Sequence, residues 1–72
     1  MEFTAKEREL FRDRLRQLRG DTPPRVLAEL CGLREKAISE YENGDSLPSY
    51  ESLIKLAKYF QVSIDYMAGN TQ

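Results

Sequence analysis

Eleven lysines and arginines and twelve aspartates and glutamates carry nearly all the chemistry that this 72-residue sequence can offer. It has no histidine and one cysteine, Cys31, which excludes zinc sites, histidine-dependent catalysis and an internal disulfide. No nucleophile stands beside a base and no glycine-rich loop is present to cradle a phosphate, so neither an enzyme, a metal nor a cofactor is expected. What remains is recognition through charged hydrogen bonds. Six arginines from Arg8 to Arg25 alternate with Glu9, Asp13 and Asp21, a pattern that reads as pairing on a helix surface rather than as a stripe for phosphates. Further on, Arg34, Glu35, Lys36 and Glu40 lie close together, with Lys36 and Glu40 one helical turn apart on a shared face.

Gly20, Pro23-Pro24, Gly32, Gly44, Pro48 and Gly69 punctuate the chain into short segments of helical period. A first helix opens at Thr4, with Glu7 completing a capping box, and sets Leu10, Phe11, Leu15 and Leu18 on one face before Gly20. The second is expected to have Thr22 as N-cap, Pro23 in the first helical position and Val26, Leu27, Leu30 and Cys31 as its apolar face. A third runs from about Arg34 to Glu42, buries Ala37, Ile38 and Tyr41, and ends at Asn43-Gly44. Ser49 caps a fourth, with Tyr50, Leu53, Ile54, Ala57 and Phe60 on one stripe. Ser63 caps a last turn, Ile64 to Ala68. The predicted fold class is all-α: a compact five-helix bundle forming one domain over residues 1–72.

A chain this short buries only about 60% of the surface its unfolded form exposes, so its stability is expected to be modest. No apolar run approaches the roughly 20 residues of a membrane span, and Met1-Glu2-Phe3 does not open a signal peptide. With a single cysteine the default compartment is a reducing cytoplasm, and Cys31 reads as core packing rather than as a reactive thiol. The net charge of −1 gives no compositional hint of nucleic acid. Tyr59, Tyr66 and Met67 read either as late core or as a patch where two subunits meet. The chain stops at Gln72, soon after the last predicted turn, and both a whole small protein and a part of a longer one fit.

The turn between the second and third helices is the informative feature. Ala28, Gly32 and Ile38 lie at offsets of four and six residues within two helices joined by about three residues, the layout of a helix-turn-helix. The small Ala28 lets the third helix pack closely, Gly32 permits a left-handed turn and Ile38 fills the angle. Around this turn, Leu27-Ala28-Glu29, Gly32-Leu33, Ile38-Ser39 and Tyr41-Glu42-Asn43-Gly44 resemble the Cro and lambda-repressor type of helix-turn-helix domain (XRE-like regulators). Pro48, Leu53-Ile54-Lys55-Leu56-Ala57 and Val62-Ser63-Ile64-Asp65-Tyr66 extend the resemblance, as do Phe11, Arg14-Leu15 and Leu18-Arg19, so that it covers about residues 11 to 69.

The resemblance implies a prokaryotic or phage transcriptional regulator, a repressor acting as a homodimer on a palindromic double-stranded DNA operator. Helix 34–42 would enter the major groove by its N-terminal end. Glu35, Lys36 and Glu40 match positions that read base edges, while Ser39 and Asn43 match positions that hold phosphates. Arg25 and Arg34 join them as expected DNA contacts, and Arg19 and Glu42 match a buried ion pair of the family. Three departures stand out. Arg34 occupies the usual capping position of the third helix, Pro24 replaces a phosphate-binding Gln, and Asp45-Ser46-Leu47 replaces the basic residues that often follow Asn-Gly. From Arg34 to Ser49, two basic residues face four acidic ones, which predicts weak binding to random DNA. Glu35, Lys36 and Glu40 have a plainer alternative as a solvated helix face. The acidic third helix also fits a second function class, a protein-interaction module of antitoxin or anti-repressor type on the same fold.

Overall fold

The Thr4 hydroxyl accepts from the Glu7 backbone N–H at 3.1 Å and the Glu7 carboxylate accepts from the Thr4 N–H at 2.9 Å. This closes the predicted capping box at the head of α1 (Ala5–Arg19). In the computed structural model, which describes residues 3–69, α1 is followed by α2 (Pro24–Cys31), α3 (Ala37–Asn43), α4 (Tyr50–Phe60) and α5 (Ile64–Ala68). The described residues contain no strand, so the all-α class and the five-helix count hold for them. Met1-Glu2, read above as no signal peptide, and the residues beyond Gly69 lie outside the described residues.

The start of α2 differs from expectation by one residue. Pro23 is extended (φ −58°, ψ 143°) and is itself the N-cap, so Pro24 and not Pro23 occupies the first helical position. The ring of Pro24 disfavours helical geometry at the residue before it, which pushes Pro23 out of the helix. Thr22 caps nothing. Its N–H bonds the Arg19 carbonyl at 3.1 Å and its own carbonyl accepts from the Arg19 guanidinium at 3.0 Å.

The third helix starts later than the predicted Arg34. Leu33 N–H reaches back to the Ala28 carbonyl at 2.8 Å, and Ala37 N–H closes a turn onto the Arg34 carbonyl at 3.0 Å. None of residues 33–36 has a side chain suited to capping, and the N-cap Lys36 makes no such bond. Helical bonding is established only where the Glu40 N–H meets the Lys36 carbonyl at 3.0 Å. Arg34 and Glu35 therefore belong to the connecting turn.

Phe11, Leu15, Leu27, Ile38, Leu53, Leu56 and Met67 are fully enclosed, with Ala28, Cys31, Ala37, Tyr41, Ala57 and Ala68 around them. Phe3 joins this core by packing on Phe11, which in turn meets Tyr41 edge-on. Helix α1 packs on α3 and α5, α2 on α3 and α4, and α4 on α5. Several expected faces are corrected. On α2, Val26 and Leu30 face outward, Leu30 at 55% exposure, while Ala28 turns inward as the turn spacing required. On α4, Leu56 is buried, Tyr50 is exposed, and Ile54 and Phe60 are half-buried. The late apolar group divides as well: Met67 is core, Tyr59 is exposed, and Tyr66 is half-buried with the Arg14 guanidinium 4.3 Å over its ring.

Candidate nucleic-acid interface

The angle between α2 and α3 is built from the residues the spacing singled out. Gly32 adopts a left-handed conformation (φ 72°) after the last residue of α2, a geometry that costs glycine least. Ala28 and Ile38 are both fully buried beneath the turn. With Ala37, Ile38 and Tyr41 directed into the core, Lys36, Ser39, Glu40 and Asn43 form the outward face of α3. Lys36, Ser39 and Asn43 are exposed and Glu40 is half-buried. A short helix carried at a fixed angle with a polar outer face has the dimensions to lie in the major groove, which is about 12 Å wide.

The candidate residues are not all equally available. Arg34 Nη2 sits 2.9 Å from Glu40 Oε1, so two of the predicted contacts hold each other across the head of α3. Arg25, in the first turn of α2, lines a surface groove together with Glu29, Leu33 and Glu35. Pro23 and Pro24 lack N–H groups, so the start of α2 offers a phosphate chiefly the Arg25 side chain. Ser39 and Asn43 lie one turn apart on α3. Lys36 makes no ion pair within the described residues.

The electrostatics differ from the linear charge count. Glu42 is the most strongly engaged acid: Arg19 Nε donates to Oε2 at 2.6 Å and Arg19 Nη2 to Oε1 at 2.8 Å. These hydrogen bonds hold the Arg19 guanidinium above its ordinary pKa, against the opposing effect of burial. Arg16 approaches the same carboxylate at 3.7 Å and the Glu42 carbonyl at 3.4 Å. The expected pairing of the arginines with neighbouring acids on α1 is thus corrected for Arg16 and Arg19, which reach across to α3, and Arg14 donates to the Tyr66 carbonyl at 2.6 Å. Of the four acids between Arg34 and Ser49, Glu40 pairs with Arg34 and Glu42 with Arg16 and Arg19, which leaves Glu35 and Asp45.

Two of the arginines read from the sequence as helix-surface pairing rather than as phosphate contacts also reach this end of the molecule. Arg8 and Arg12, one turn apart on α1, line a groove with Ala5 and the loop Gly44–Leu47 that follows α3. Their spacing with Arg16 (i, i+4, i+8) marks one face of α1 and was the available signal. Among the described residues, no group of His, Cys, Asp and Glu could hold a metal ion, and no helix is long and apolar enough to cross a membrane.

Comparison with known proteins agrees with this geometry. Residues 14–67 match a family described as Helix-turn-helix. A curated relative, the cryptic phage CTXphi transcriptional repressor RstR of Vibrio cholerae serotype O1, is 35% identical over 43 residues. That alignment takes in 60% of this chain and 38% of the relative, so the chain spans well under half the length of the repressor it resembles. No solved structure matches.

Proposed function

The chain belongs to the helix-turn-helix family, and from that premise we propose that it is a sequence-specific DNA-binding transcriptional regulator, a repressor that inserts the head of α3 into the major groove. The observation that carries this is the α2–α3 unit itself, with Gly32 left-handed, Ala28 and Ile38 buried beneath it and a polar face left outward. Similarity to a phage transcriptional repressor supports the direction of regulation. No enzymatic role is proposed.

In this reading Glu35, Lys36 and Glu40 meet base edges, while Arg25, Ser39 and Asn43 meet phosphates. Arg34 approaches the DNA with its guanidinium steered by Glu40. A seven-residue helix reads few base pairs, so two copies on palindromic half-sites about one helical turn apart supply the specificity. Of the late apolar residues, Tyr59 is the one exposed for a homodimer contact, and Leu30 lies across a shallow groove from it.

Selection of bound duplexes from a random library, followed by gel shifts of the enriched and a scrambled site at two salt concentrations, tests the reading. Enrichment of a palindrome with salt-sensitive binding is expected. Absence of any shift at low salt would instead favour the interaction-module alternative, for which the unpaired Glu35 and Asp45 speak.

A further inference from the structure

We propose that the groove between the first half of α1 and the loop after α3 is a clamp for one phosphate of the DNA strand, with Arg8 and Arg12 as its cations. The inference rests on the DNA-binding reading above and adds a site on an element outside the helix-turn-helix unit.

The placement follows from dimensions. The seven residues of α3 rise about 10 Å, slightly less than the width of the major groove. With the head of α3 at the base edges, the loop Gly44–Leu47 arrives at the groove wall, where the phosphates lie. That loop carries no cation of its own. Three of its four amides are also committed: Gly44 N–H bonds the Tyr41 carbonyl at 3.2 Å, and the N–H groups of Asp45 and Ser46 reach the Glu40 carbonyl at 2.9 and 3.4 Å. Leu47 N–H aside, a phosphate at this wall must therefore be held by side chains.

Helix α1 supplies them. Arg12 lies against Gly44 so closely that a Cβ there would come within 2.7 Å of the guanidinium, and the missing side chain is what admits it. Arg8, one turn earlier, is exposed on the same groove. Ser46 lines it too, and its Oγ is buried with no hydrogen-bond partner. A turn of that hydroxyl into the groove lets it donate to a phosphate oxygen and meets a need the protein leaves open. Asp45 is the opposing charge on the lining, so two guanidinium groups against one carboxylate suit a single phosphate.

The test is binding isotherms of the full chain on the enriched and scrambled duplexes across a salt series, for wild type, Arg8→Gln, Arg12→Gln and the double variant. Lys6→Gln removes the same charge from a position about 200° round α1 from Arg8 and serves as control. The double variant should flatten the slope of log K against log salt by about 0.9, the value for one phosphate, and each single groove substitution by a part of that. The ratio between the two duplexes should be unchanged, and Lys6→Gln should leave the slope alone. If the exposed Arg8 and the double variant keep the wild-type slope while Arg25→Gln lowers it, the clamp is wrong and the DNA reading stands. If wild type binds no DNA at any salt, the functional reading fails and the clamp with it. Inorganic phosphate alone, titrated by NMR, separates the sources: groove shifts with phosphate but none with DNA would make this a free-anion site and overturn the proposal.

Discussion

Arg19 and Glu42, 23 residues apart in sequence, meet through two parallel hydrogen bonds of 2.6 and 2.8 Å that tie the end of α1 to the end of α3. Both side chains are mostly enclosed, at 18% and 9% exposure. Glu42→Ala leaves a partly buried guanidinium with the Thr22 carbonyl as its remaining protein acceptor. The expected cost is about 2–3 kcal/mol, less than for a fully buried pair because Arg19 keeps some contact with water. Thermal unfolding should show a fall of roughly 10 °C or more, given about 4–8 °C per kcal/mol in a domain of this size. A change of a degree or two would show that the pair contributes nothing net.

Lys36 stands at the head of α3 without an ion-pair partner among the described residues. If its ammonium donates to guanine, Lys36→Ala should weaken the enriched site by about 1–3 kcal/mol and relax preference at one base pair. Equal loss on enriched and scrambled duplexes, with the salt slope falling by about one, would reassign it to a phosphate. Isotherms on the two duplexes distinguish the outcomes.

The exposed pair between Arg34 and Glu40 is worth about 0–1 kcal/mol to folding, so Glu40→Gln should leave the melting temperature nearly unchanged. Its effect should appear on DNA instead. Removing the carboxylate frees Arg34 and takes away a charge that repels phosphate, so affinity for the scrambled duplex should rise while discrimination falls. Glu35→Gln should raise non-specific binding in the same direction. Flat isotherms for both variants would place these residues away from the DNA.

Met67 is fully enclosed, so Met67→Ala should cost about 2–5 kcal/mol through the cavity it leaves. Tyr59→Ser, at an exposed position, should leave the melting temperature within a few degrees but weaken self-association. Denaturation and sedimentation on the two variants check this. A dimer defect for Met67→Ala with unchanged stability would contradict the burial.

Cys31 is buried, and burial lifts its thiol above the ordinary value of 9.0. The native protein should therefore react slowly with a disulfide reagent at neutral pH and rapidly once unfolded. Because the folded pKa is raised, the stabilisation is complete below the unfolded value and is lost as pH climbs through the folded one. Cys31→Ala should lack that alkaline component in its stability profile.

Helix caps and turns were legible from the sequence because they are local. Thr4 with Glu7, Ser49, Ser63, Gly32 and Gly44 act on backbone groups within a few residues, and each behaves as its type and position dictate. The errors of one to three residues also have local causes: two consecutive prolines displaced the start of α2, and the lack of a capping side chain before Ala37 delayed α3. The family's functional spacing, Ala28–Gly32–Ile38, was readable for the same reason, since both helices and their turn fit within a short stretch.

The charge of the candidate interface was not readable in this way. Counted along the chain, residues 34–49 are acidic, yet in the fold Arg16 and Arg19 converge on Glu42, Arg34 holds Glu40, and Arg12 reaches Gly44. Likewise, helical period assigned Val26 and Leu30 to an apolar face, while the packing of α2 on α3 and α4 decided that both stay exposed. The sequence by itself determined the helices, their caps and the helix-turn-helix spacing, because those depend on interactions that reach about one turn. Which faces are buried, and which charges remain for a partner, depended on how α1 lies against α3, since Coulomb and packing energies follow distance in space rather than separation along the chain.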